Sequence, residues 1–281
     1  MTDETDIDVF SEGELQGADA DEQGWIPLPS VDLLSIEGAD ELLRQYPAKI
    51  IAVVGERDAG KTTLVTEIYE RYLRGAFAGF NFADSRTLIG FERKSFLSRA
   101  DSGEDTPDTP RTSIKDGLRF FHLALSSDDD GRRRDLLIAE RAGEAYKNAR
   151  DTPSQSADLL ELQKAQIVVL ILDGRRVTEH KHRSEAFAAV RGIARAMVDS
   201  GALSPQVELH LVTTKCDLLD GGDGVTAQEA LKTFEDSFSS LFSDRCASVK
   251  SFRTAARDPT GRIEAAREFK GTKYLQKALY N

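Results

Sequence analysis

From residue 49 onward the apolar positions fall into two alternating patterns. Ile50-Ile51-Ala52-Val53-Val54 and Ile167-Val168-Val169-Leu170-Ile171-Leu172 are unbroken apolar runs. A strand with apolar residues on both faces belongs in a parallel sheet covered by helices on each side. Residues 136–139, 207–213 and 249–253 predict further strands. Residues 118–125 predict a strand nearer an edge, because Arg119 and His122 interrupt the pattern. Between these, helical periodicity runs over 61–73, 154–163, 185–198, 227–241 and 263–279. Ahead of them Ser30 is a candidate cap for a helix reaching about Tyr46, packed through Val31, Leu34, Leu42 and Leu43 and weakened at Gly38. Alternating strands and helices predict an α/β fold with a doubly wound, mostly parallel sheet. There is no internal repeat. Residues 101–111, with two prolines, and 220–224, with three glycines, read as loops.

Composition sharpens the boundaries. The chain has 281 residues, 40% hydrophobic and 30% charged, which excludes collagen-like and low-complexity classes. Its net charge of −11 is concentrated at one end: residues 1–24 hold nine acidic side chains and no Lys or Arg, leaving −2 for the rest. Residues 1–24 therefore read as an acidic, self-repelling disordered tail. Residues 25–48, which include Trp25-Ile26-Pro27-Leu28-Pro29, read as a linker and short helix, and residues 49–281 as the folded domain. No overall basic footprint for nucleic acid exists. The Arg132-Arg133-Arg134 run is a local patch beside Asp128-Asp129-Asp130. No run approaches the roughly 20 apolar residues of a membrane helix, and no basic-then-apolar leader precedes the acidic stretch, so a cytoplasmic location is expected. Cys216 and Cys246 are too few for a disulfide framework. His180 and His182, beside Lys181 and Arg183, read as surface rather than metal ligands.

Gly55-Glu56-Arg57-Asp58-Ala59-Gly60-Lys61-Thr62 fits G-x-x-x-x-G-K-[ST] between an apolar strand and a helix, the context that pattern requires. The glycines let consecutive N–H groups face a phosphate chain, and the helix N-terminus adds partial positive charge. Lys61 would reach the β- and γ-phosphates, Thr62 would ligate Mg²⁺, and Thr63 completes the first turn. Arg57 is either a charge stabiliser for the γ-phosphate or a solvent-facing side chain.

The strand over 207–213 ends in Thr214-Lys215-Cys216-Asp217, similar to the [NT]-K-x-D element that selects guanine. A carboxylate at Asp217 can accept from guanine N1–H and the N2 amino group. Adenine lacks that donor pair and would leave the charge unpaired. The Lys215 stem can pack over the ring. Thr254-Ala255-Ala256 follows the last strand, where the amide of Ala255 or Ala256 would meet guanine O6. Leu136-Leu137-Ile138-Ala139-Glu140-Arg141-Ala142-Gly143-Glu144 stands where GTPases carry strand-D-x-x-G. Glu140 replaces the usual Asp as a metal-side carboxylate, and Gly143 keeps the glycine whose amide contacts the γ-phosphate. Glu144 takes the place of the Gln that orients water. It could position water or act as a base, or repel the γ-phosphate and slow hydrolysis.

In this order the four motifs resemble the TRAFAC-class P-loop GTPases, a resemblance covering residues 49 to about 279. The long stretch between Lys61 and Glu140, with Phe82-Ala83-Asp84-Ser85-Arg86-Thr87-Leu88-Ile89-Gly90-Phe91-Glu92 and Thr109-Pro110-Arg111-Thr112, is similar to the divergent bacterial double-GTPase group of conflict systems. That resemblance implies a regulatory, Mg²⁺-dependent protein that hydrolyses GTP to GDP and acts with a protein effector or second GTPase. It implies a first switch carrying Thr87, Thr109 or Thr112, of which Thr112 stands nearest before the next strand, and catalytic roles for Lys61, Glu144 and Thr112. The metal would take Thr62, Glu140 and Thr112. Arg86 or Arg111 could supply transition-state charge. A second switch over 141–153 would move about Gly143 and offer Tyr146 as an exposed contact. The alternatives are a GTP-bound scaffold with little hydrolysis, an ATP-using P-loop enzyme and a nucleic-acid-binding protein.

Overall fold

The computed structural model describes residues 32–96, 109–110, 112–220 and 224–256. The acidic tail, the Trp25–Pro29 linker, most of the 101–111 loop and the helix expected over 263–279 lie outside the described residues. Within them the chain runs α1 (Ile36–Gln45), β1 (Ala48–Val54), α2 (Lys61–Leu73), β2 (Phe80–Asp84), α3 (Leu88–Ser95), β3 (Arg119–Ser127) and β4 (Arg133–Glu140). It continues α4 (Gly143–Asp151), α5 (Leu160–Lys164), β5 (Ile167–Asp173), α6 (Gly174–Thr178), α7 (His180–Asp199), β6 (Glu208–Thr214), α8 (Gly224–Phe242) and β7 (Ser248–Arg253).

Among the described residues these strands form a seven-stranded sheet in the order β2-β3-β4-β1-β5-β6-β7. The β4-β1-β5-β6-β7 run is parallel, whereas β3 pairs antiparallel with both β2 and β4. The apolar runs are explained by their two faces. Ile50, Ala52 and Val54 of β1 enter a core with α1, α4, α5, α7 and α8, while Val53 enters one with α2 and α3. Aromatic rings close both sides. Tyr69 stacks on Phe91 at 4.5 Å, and Phe187 on Phe234 at 4.3 Å.

Several expectations are corrected. The first helix is capped not by Ser30 but by Ser35, whose Oγ accepts from the Gly38 amide at 3.3 Å. Leu34 is held extended by a bridge to Phe120, which delays the helix start. Strand β3 does lie near an edge of the sheet, second from the end with β2 outside it. His122 does not interrupt β3: its ring is buried, accepts the Arg86 amide at Nδ1 (3.0 Å) and meets Asp135 Oδ1 through Nε2 at 3.0 Å. The helix expected over 154–163 divides into a 3-10 turn, Pro153–Asp158, and α5. Leu159 and Leu162 both enter the core there. The Arg132–Arg134 run is matched by acids. Arg133 pairs with Asp84 and Asp135, and Arg134 with Asp130.

Candidate functional site

The C-terminal ends of β1, β4, β5 and β6 converge on the loop between β1 and α2, as parallel sheets place ligand sites. Within that loop Asp58 (φ 59°) and Gly60 (φ 95°) are left-handed. At Gly60, the residue that caps α2, this left-handed turn favours glycine. Lys61 opens α2 and is 8% exposed. Its ammonium donates to the Gly55 carbonyl at 3.0 Å and the Glu56 carbonyl at 2.9 Å. Burial lowers its pKa, against the opposing charges of Glu140, Glu144, Asp58 and Glu56. A buried ammonium satisfied only by carbonyls is one that a polyanion would attract.

A cavity of about 310 Å³ lies over this loop, lined by Arg57, Asp58, Gly60 to Thr63, Thr109, Pro110, Thr112, Gly143, Glu144 and Lys215. Two of its lining hydroxyls, those of Thr62 and Thr112, meet a carboxylate behind the lining. Thr62 Oγ1 donates to Glu140 Oε1 at 2.7 Å, the Thr112 hydroxyl donates to the same oxygen, and the two hydroxyls lie 3.3 Å apart. Thr63 and Thr109 make a second pair at 3.2 Å. Glu140 is 3% exposed. One carboxylate and two hydroxyls are hard oxygen donors, and they fit a magnesium ion whose other ligands are phosphate and water.

Gly143 also lines the cavity. A β-carbon on it would stand 2.5 Å from the Arg57 nitrogen and 2.6 Å from the Glu56 carbonyl carbon, so only glycine allows α4 this close to the loop. Glu144 follows in the first turn of α4.

The end of β6 and the turn after it are tied to the same loop. Thr214 Oγ1 donates to the Ala59 carbonyl at 2.8 Å, and Lys215 Nζ to the Asp58 carbonyl at 3.0 Å. Asp173, at the end of β5, pairs with Lys215 at 3.0 Å. The Thr254 amide donates to the Thr213 carbonyl and the Cys216 amide to the Thr254 carbonyl, which joins the segments after β6 and β7 side by side. Asp217 is half-buried in the turn after β6. Asp217, Ala255 and Ala256 do not line the 310 Å³ cavity, whose lining on this side is Lys215.

Other expected positions separate from the site. Thr87 is buried against the His122 backbone, donating to its carbonyl at 3.3 Å and accepting its amide at 2.9 Å. The Arg86 guanidinium donates to Gln45 and lies over Tyr46. Arg111 falls outside the described residues. Thr109 and Thr112 are thus the candidates that reach the cavity. Residues 141–153 are largely helix rather than loop, and Tyr146 is not exposed. It is fully buried, and its hydroxyl donates to Glu161 Oε1 at 3.2 Å. Arg141 donates to both oxygens of the same buried carboxylate, at 2.6 and 3.0 Å. Sequence reading missed Glu161 and Asp173. Only the position of Asp173 at the end of an apolar strand could have signalled it.

Among the described residues no group of three or more His, Cys, Asp or Glu could hold a metal. Burial pushes the Cys216 thiol up to about 12, leaving it protonated at neutral pH. Among the described residues no helix is long and apolar enough to cross a membrane.

The Double-GTPase 2 family model matches residues 49–272. Similar solved structures include the signal recognition particle receptor SRb-GTP/SRX complex from Chaetomium thermophilum. It is 14% identical over 83% of this chain and 97% of that one, with a TM-score of 0.47. The ADP-ribosylation factor-like GTP-binding protein, small COPII coat GTPase SAR1, from Encephalitozoon cuniculi in complex with GDP is 14% identical, over 83% of this chain and 77% of that one, at 0.34. The Methanosarcina barkeri Roco2 RocCORdC bound to GDP is 16% identical over 83% and 48%, at 0.36. No curated protein matches the chain.

Proposed function

The chain belongs to the Double-GTPase 2 family and is a GTP-binding P-loop protein, and from that premise we propose that it hydrolyses GTP to GDP with Mg²⁺ and uses the bound nucleotide to change the surface it offers a protein partner. The observation that carries this reading is that Thr62 and Thr112, which line the same cavity as Lys61, both donate to the buried Glu140 carboxylate behind them. Residues far apart in the chain meet where the terminal phosphates of a nucleotide on this loop would lie.

In this reading the amides of residues 55 to 62 hold the α- and β-phosphates. Lys61 exchanges its two carbonyl partners for β- and γ-phosphate oxygens. Thr62, Thr112 and Glu140 would hold the metal, which when bound would neutralise negative charge on the phosphates. The Gly143 amide donates to the γ-phosphate, and Glu144 orients the attacking water and accepts its proton. Asp217 accepts from guanine N1–H and N2, an amide of Ala255 or Ala256 donates to O6, and Lys215 covers the ring. The partner is an effector or a second GTPase, and the compartment is the cytoplasm. Loss of the γ-phosphate would release the loop segment that carries Thr112 ahead of β3, altering the exposed surface.

A second reading has a specific observation behind it. Glu144 brings a carboxylate into the cavity a triphosphate would occupy, which favours a GTP-bound scaffold that turns over slowly. Single-turnover hydrolysis of wild type and Glu144→Gln separates the two. A working base loses at least about tenfold in rate on substitution; a repelling carboxylate gains rate. Competition of ATP against fluorescent GTP tests the choice of base, and equal displacement by ATP would overturn it.

A further inference from the structure

Glu56 is a loop residue whose carboxylate faces away from the nucleotide cavity. It lines a small recess behind the loop with Asp173, Arg176, Ala186 and Val190. Two guanidinium groups meet it there. Arg150 of α4 donates to Oε1 at 2.8 Å, and Arg176 of α6 donates to Oε2 at 2.6 Å. Each arginine also has a second acid. Arg150 Nε reaches Asp151 at 2.9 Å, and Arg176 Nη2 reaches Glu185 at 3.0 Å. The Arg150 stem lies on Gly192 of α7, where a β-carbon would stand 3.1 Å from Cδ and 3.2 Å from Cγ. A bare helix face therefore admits the arginine to the back of the loop.

Helix α4 thus touches Glu56 twice. Gly143 abuts its backbone at the N-terminus of the helix, and Arg150, seven residues and two turns later on the same face, holds its carboxylate. A helix fixed at two points along its length against one loop residue can neither tilt nor slide on that loop without breaking a charge-assisted bond.

We propose that Arg150 is a positioning residue for the terminal phosphate: through Glu56 it keeps the first turn of α4, with the Gly143 amide and Glu144, in register with the phosphate loop, and Arg176 braces Glu56 from the other side. This role rests on the function proposed above. A diphosphate is held by the loop amides, whereas a γ-phosphate lies between the loop and the start of α4. Loosening α4 therefore weakens binding of the triphosphate and leaves that of the diphosphate.

The test measures binding of fluorescent GDP and of a non-hydrolysable fluorescent GTP analogue, with single-turnover hydrolysis, in Arg150→Gln, Arg150→Lys and Arg176→Gln. For Arg150→Gln the expected result is a loss of about tenfold in analogue affinity and hydrolysis rate, with GDP affinity within about threefold of wild type. Arg150→Lys, which returns a cation to Glu56, recovers most of the loss. If Arg150→Gln does not fold, Arg176→Gln carries the same triphosphate-selective expectation from the other side of Glu56. Equal loss for both nucleotides, or no change in either, overturns the role of Arg150. Wild-type protein that binds neither nucleotide overturns the function on which it rests.

Discussion

Thr62 and Glu140 lie 78 residues apart in the chain and 2.7 Å apart in the fold, the threonine hydroxyl donating to the carboxylate. One stands in the first turn of α2 and the other at the last position of β4. The parallel pairing of β1 with β4 brings those two ends together. Because Thr112 donates to the same carboxylate oxygen, the segment before β3 is fastened to the same point.

Glu140→Gln keeps the shape of this cluster and removes its charge. The Mg²⁺ concentration for half-maximal GTP binding is expected to rise about tenfold or more, while GDP binding without metal changes little. Titration of fluorescent GTP across a magnesium series checks this, and an unmoved midpoint would show that Glu140 does not serve the metal.

Lys61→Met removes a buried ammonium that only backbone carbonyls satisfy. Guanine-nucleotide binding is expected to vanish in calorimetry while the nucleotide-free protein keeps its melting temperature within about 5 °C. Retained micromolar binding would count against the cradle.

Asp217→Asn exchanges an acceptor for a mixed donor and acceptor. GTP affinity is expected to fall at least about a hundredfold, with a gain for xanthosine triphosphate, whose O2 replaces the amino donor. Competition between the two nucleotides reads this directly; unchanged GTP affinity removes Asp217 from the base pocket.

His122 supplies a pH dependence. Burial lowers its pKa below the ordinary 6.5, only partly opposed by Asp135. The unfolded chain therefore binds the proton more readily than the folded one. The stability from neutral His122 is complete above pH 6.5 and is lost as pH falls through the folded pKa. His210, lowered chiefly by burial as well, adds to the slope. Urea unfolding of nucleotide-free protein is expected to show stability falling from pH 7 to 5, with a shallower fall in His122→Gln. Identical slopes would exclude His122 as a contributor.

Glu161→Gln strips the buried partner from Arg141 and weakens the acceptor of the Tyr146 hydroxyl. A loss of about 3 kcal/mol in unfolding free energy is expected, measured by guanidinium denaturation. A loss under about 1 kcal/mol would mean that Arg141 finds water or another acid.

Legibility in the sequence followed the range of the interaction. The unbroken runs at Ile50 and Ile167 state that both faces of those strands are buried, and α2 begins and ends where its periodicity does, because these are local properties. The segment over 141–153 shows the limit. The sequence shows a glycine at 143, but not the packing of α4 on the loop that this glycine permits or the burial of Tyr146 by Glu161, which depends on α5 arriving from elsewhere. Strand β2 and helix α3 escaped notice for the same reason, since β2 is short and held by β3 rather than by its own pattern.

By itself the sequence determined the alternation of strand and helix, the phosphate loop of residues 55–62 and the order of the motifs, because propensity, periodicity and spacing act between neighbours along the chain. Only the tertiary structure decided which threonines reach Glu140, which arginines reach Glu56 and which carboxylate holds Arg141. Those choices depend on distances across the sheet, and a chain's order does not encode a distance until the strands have paired.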